Sequence, residues 1–173
     1  YHVEIKLAVD GEPCCGDRPT MIGDTIVALA TPNGPGERAV IRLSGPQAFA
    51  AAMRCFAASL PRERAQVEGH VTVGGARLPA LALTMVAPRS FTGEDVVELH
   101  IPGSPMLVGL LQDELLRDGE ANGIRQALAG EFTARACENG RLDLAQAEGL
   151  LMLLHAQGEQ QALGAVQWLR GGL

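Results

Sequence analysis

Lysine is nearly absent from this chain, and aromatic residues are scarce. Positive charge comes from thirteen arginines and a single lysine, Lys6. A P-loop requires a lysine directly after its second glycine, where the ammonium reaches the phosphates. Lys6 stands in Glu4-Ile5-Lys6-Leu7 with no glycine before it, so the sequence holds no Walker-A nucleotide site. Aromatics make up 3% of the residues, and a core must therefore be built from Ala, Leu and Val. The four cysteines are Cys14, Cys15, Cys55 and Cys137. An adjacent pair does not readily bridge itself, and the spacings match no zinc pattern. Without a disulfide framework the expected compartment is a reducing cytoplasm. Neither a signal-peptide pattern nor an apolar run long enough for a bilayer is read here, and no membrane role is expected. The net charge is −6. Contact with RNA would therefore need a local basic patch.

What is present is ample apolar material: 47% of 173 residues, enough for one domain with a helical addition and too much for a disordered chain. Residues 1–23 hold a strand pattern, His2 to Val9, and an Asp10-Gly11-Glu12-Pro13 turn, with no functional reading. Asp24 to Ala30 reads as a buried strand and Thr31 to Gly36 as a loop. Ala39 to Leu43 is a second strand, carrying Arg42 in its middle. Ser44-Gly45-Pro46 opens a helix, with Ser44 or Gly45 as its cap. Phe49, Ala52, Met53 and Phe56 fall on one helical face, an ordinary core stripe. Val67 to Val73 and Leu78 to Ala87 form a hairpin across Gly74-Gly75. His70 falls on its polar face, as a solvated or hydrogen-bonded histidine.

The most informative stretch is Phe91 to Pro105. Thr92-Gly93 is turn chemistry, and Val96 to His100 is a short strand. Side chains alternate along a strand, so Val97 and Leu99 share one face while Val96, Glu98 and His100 share the other. A carboxylate within an apolar strand is costly unless something binds it. Glu98 is thus either a ligand group beside the Gly103 loop or a strand-end carboxylate in solvent or paired with an Arg. Pro105 suits the first position of the next helix, Met106 to Arg117, with Leu107, Leu110, Leu111 and Leu115 inward. Gly119 to Gly123 breaks that helix. Glu131 to Glu138 is a short helix closed by Asn139-Gly140. Asp143 caps a last helix whose apolar face is Leu144, Ala147, Leu150, Leu151 and Leu154, bent at Gly158 and ended by Gly171-Gly172. Such a helix needs partners.

Taken in order, several motifs resemble the N-terminal part of the MnmE (TrmE) tRNA-modification GTPase family. They are Asp24 to Ala28, Thr31-Pro32, Ile41-Arg42-Leu43-Ser44-Gly45, Phe91 to Leu99, Gly130-Glu131-Phe132-Thr133 and Asn139 to Glu148. The resemblance implies an α+β fold: a small mixed or antiparallel sheet with helices packed on it, as in folate-binding aminomethyltransferases, followed by C-terminal helices. It divides the chain into an extension (1–23), a folate-binding-like domain (24–141) and the start of a helical domain (142–173). The family's GTPase domain and C-terminal cysteine motif have no counterpart here.

The resemblance further implies a homodimer that binds a formyl- or methylene-tetrahydrofolate. In the family it works with an MnmG partner on the wobble uridine of tRNA. Three folate contacts carry over: Arg42, Glu98 and Arg141, the last standing where the family usually has Lys. A carboxylate can accept two hydrogen bonds from a pterin's amine and ring N–H, and guanidiniums suit the anionic tail or the carbonyls. Arg42 and Glu98 have an alternative, an ion pair with each other across adjacent strands. No catalytic residue and no metal site is assigned. His100 and Asp95, the available acid–base groups, read as structural. Four changes near the pocket loops depart from the family pattern: Asn33-Gly34-Pro35-Gly36, Pro102-Gly103-Ser104-Pro105, Ala129 for Pro, and Ala134 for Arg. A divergent module that dimerises or docks without folate is the alternative function.

Overall fold

The computed structural model describes residues 23–117 and 119–170. The expected strand at His2 to Val9, the turn after it, Cys14-Cys15 and the Gly171-Gly172 stop lie outside these residues. The described chain forms two compact units, one of residues up to Ser90 with Glu94–Gly130, the other of Phe91–Gly93 with Glu131 onward.

The first unit is a six-stranded sheet with helices on one face. Its strands are β1 (Thr25–Leu29), β2 (Gly36–Ser44), β3 (Ala65–Val73), β4 (Ala76–Met85), β5 (Val96–Gly103) and β6 (Ile124–Gln126), in the order β3-β4-β5-β2-β1-β6. All neighbours are antiparallel except β1 and β6, so the sheet is mixed and the class is α+β. The β3–β4 hairpin turns at Gly74 and Gly75, both at positive φ (57° and 81°), the geometry a two-residue hairpin loop favours. Gly103 ends β5 against the backbone of Gly36, where a Cβ would lie 2.4 Å from the Gly36 carbonyl oxygen.

Strand alternation sorts the sheet into two faces. Val27, Leu43 and Val97 are in register, as are Ile41, Leu99 and Ala82. All six are buried in one apolar cluster. Helices α1 (Ala48–Cys55) and α2 (Pro105–Leu116) close that cluster with Ala48, Phe49 and Ala52, with Phe56 just past the end of α1, and with Val108, Leu111 and Leu115. Burial of these side chains is the main force holding the unit together.

Several helix details differ from expectation. Ser44 does not cap α1. Its hydroxyl donates to Glu94 Oε2 (2.6 Å), and the N–H of Gln47 at the start of the helix is accepted by Thr25 Oγ1 from the neighbouring strand (2.8 Å). Met53 is exposed, and Ala51 takes its place on the buried face, alongside Cys55, which is buried as expected. On α2, Leu110 is exposed, because it lies about 100° around the helix from Leu111. The break after α2 contains a single turn, α3 (Gly119–Asn122), and the unforeseen β6. Three residues are too few to show a period. Tertiary hydrogen bonds hold β6 in place, from Thr25 N–H to Gly123 O and from Ala127 N–H to Val27 O.

The second unit contains α4 (Glu131–Glu138), α5 (Leu144–Leu154) and α6 (Glu159–Leu169). A buried Arg135–Glu131 pair (3.0 Å) sits one turn apart on α4. Asn139 Nδ2 donates to Thr92 O (2.7 Å). Asp143 caps α5 with a reciprocal Gln146 contact, a capping box. Gly158 starts a new helix rather than bending the old one. The α5–α6 contact centres on Gly149, whose added Cβ would lie 2.8 Å from Trp168 Cβ. The expected apolar face is therefore displaced, and Leu144 and Leu154 are exposed. Among the described residues no helix is long and apolar enough to cross a membrane.

Candidate ligand site on the sheet

Opposite the apolar cluster, the second face of the sheet carries the charges. Register places Arg42 on β2 directly across from Glu98 on β5. Arg42 Nε donates to Glu98 Oε1 at 2.7 Å. Both side chains are partly screened, 31% and 16% exposed, which strengthens the attraction relative to a surface pair. The pair forms because both residues lie on the outward phase of strands whose alternate residues are locked in the core. A slip of one residue in β5 would exchange Glu98 for Leu99.

His100 follows two residues on, on the same face. Its Nε2 lies 3.5 Å from Glu98 Oε2. Beyond it, on the same unit, is a cavity of about 820 Å³ whose walls include Arg38, Glu68, His70, Leu81, His100 and Pro102. Arg42 and Glu98 are not among its lining residues. His70 is exposed, its Nδ1 3.5 Å from Arg77. At the other end of β5, Asp95 accepts from the Ala87 N–H (3.0 Å) and pairs with Arg62, while Ser90 donates to Glu94 O. Asp95 thus anchors the loop before the strand.

Of the three expected contact residues, Arg42 and Glu98 are brought together. Arg141 belongs to the second unit. Its N–H closes the end of α4 on Ala136 O (2.7 Å). Its side-chain stem lies beside Gly93, at positive φ (79°), where an added Cβ would meet Arg141 Cγ at 3.2 Å. The thiol of Cys55 is pushed up to about 11, chiefly by burial, and packs as an apolar group. That of Cys137 is also raised, through burial and then Asp143 and Glu138.

An α+β domain with one apolar, helix-covered sheet face and a carboxylate–guanidinium pair on the other is the class of protein these features define. The family model described as "GTP-binding protein TrmE N-terminus" matches residues 25–141, and the chain belongs to that family. It is 46% identical over 151 residues to the tRNA modification GTPase MnmE of Roseobacter denitrificans, covering 87% of this chain and 35% of that protein. It is 46% identical over 153 residues to the MnmE of Alkalilimnicola ehrlichii, covering 87% and 33%. With the MnmE of Cytophaga hutchinsonii the identity is 44% over 154 residues, covering 86% and 32%. The chain therefore spans about a third of the length of these relatives.

Proposed function

We propose that this chain holds a tetrahydrofolate one-carbon donor, formyl- or methylene-substituted, on the charged face of its sheet, and that it dimerises. In this reading it serves wobble-uridine modification of tRNA in the cytoplasm, beside an MnmG-like partner and without hydrolysing GTP itself. The observation that carries the reading is the Arg42–Glu98 pair, 2.7 Å apart on adjacent strands. A carboxylate has about four lone-pair sites, so one guanidinium contact leaves room for a ligand's two parallel N–H groups. Arg42 then stays beside the pterin carbonyl. Calorimetric titration with 5-formyltetrahydrofolate tests this, with Glu98→Ala as control. Saturable heat from the parent chain, lost in the variant, is expected. No heat at high micromolar ligand overturns it. Light scattering reads the dimer.

A second reading is a dimerisation or docking module without folate. The direct Arg42–Glu98 contact favours it, because that contact satisfies both charges within the chain. A dimer that shows no folate heat would establish it.

A further inference from the structure

Among the described residues, His100 carries the buried side-chain nitrogens that lack a hydrogen-bond partner, both Nδ1 and Nε2. Buried polar atoms are seldom left this way. Its surroundings explain why. On the same face its cross-strand neighbours are Val40 and Leu81, and along β5 it stands between Glu98 and Pro102. Three of these four offer no polar side-chain atom. The fourth presents Glu98 Oε2 at 3.5 Å from Nε2, just outside ordinary hydrogen-bond range. The torsion that swings an imidazole is broad, so a small rotation brings Nε2 into range.

We propose that His100 is a positioning residue for the Glu98 carboxylate. Its Nε2–H steadies Oε2 while Arg42 Nε holds Oε1, and the carboxylate is gripped at both oxygens. One lone pair on each oxygen remains, spaced for a heterocycle that offers an exocyclic amine beside a ring N–H. The ligand class rests on the folate reading. The role of His100 rests on the geometry alone. The proposal requires the imidazole to carry its proton on Nε2, and it requires residue 100 to be a donor.

Two measurements decide it. The first needs no ligand: long-range proton–nitrogen NMR of the parent chain and of Glu98→Ala. We expect the Nε2–H tautomer in the parent and a shift of the tautomer balance in the variant. An Nδ1–H ring, or a spectrum indifferent to Glu98→Ala, overturns the proposal. The second is 5-formyltetrahydrofolate affinity. His100→Gln, whose amide can still donate, should stay within about threefold of the parent, and His100→Leu should lose about tenfold. Equal affinities in all three overturn the positioning role. If His100→Leu does not fold, the parent spectrum and His100→Gln still decide between the two outcomes. A parent chain that binds no folate overturns the folate reading, and the tautomer measurement still decides His100.

Discussion

Arg42 and Glu98 face each other across the β2–β5 ladder, Nε to Oε1 at 2.7 Å, and so tie together by charge two sequence motifs 56 residues apart. Removing the carboxylate with Glu98→Ala leaves a guanidinium that water can still partly reach, so the fold should survive. The expected loss is about 1–2 kcal/mol, read as a lowered denaturant midpoint at unchanged slope. A variant as stable as the parent would mean that the pair contributes nothing to the sheet.

Gly69 on β3 lies under the Phe56 ring, where an added Cβ would be 2.6 Å from Cζ. Phe56 is itself buried and bridges to Val71. Gly69→Ala should therefore cost about 1–3 kcal/mol through overpacking. Trimming the ring in Gly69→Ala/Phe56→Leu should cost less than the sum of the two single changes. Strict additivity in a denaturation series would contradict the contact.

Burial holds the Cys55 thiol neutral up to about pH 11, against an ordinary value of 9.0. Below pH 9 the thiol is neutral both folded and unfolded, and its contribution is constant. Between pH 9 and 11 only the unfolded chain loses the proton, so stability falls as pH rises. The total is about 2–3 kcal/mol at 1.36 kcal/mol per unit. Cys55→Ala should flatten this part of the stability–pH curve, and in the folded parent Cys55 should resist alkylation at pH 8.

Gly149 lets α5 and α6 touch, since an added Cβ would be 2.8 Å from Trp168 Cβ and 3.0 Å from the Leu169 nitrogen. Gly149→Val should pry the helices apart and speed amide exchange from Leu144 to Leu169. Unchanged protection would show that the helices are held by other contacts.

The strands legible in the sequence are those with a period to read. Apolar alternation marks β5, and the same alternation places Glu98 and His100 on one face. Two glycines mark the β3–β4 hairpin. Features set by tertiary context are not legible. β6 has three residues and exists because β1 offers it an edge. Thr25, not Ser44, satisfies the start of α1, because the sheet brings a hydroxyl from a strand 22 residues earlier. The buried face of α5 escapes an apolar pattern because its buried residue is a glycine, Gly149, invisible to a search for apolar residues. At the charged site, residue type and phase indicate Arg42 and Glu98. Their distance depends on the register, and so do the aliphatic neighbours that isolate His100.

The strand order has a consequence for how this sheet comes into being on an elongating chain. β3 and β4 are joined by two residues and can zip as soon as both exist. β5 must then arrive before β2 finds its inner neighbour, and Thr25 cannot meet Ile124 until almost the whole unit has been synthesised. Distant pairings close slowly, because loop entropy is spent before contacts repay it. The charged face is therefore among the last parts of the sheet to exist, and a nascent chain halted before Val96 would carry Arg42 without the strand that stands across from it.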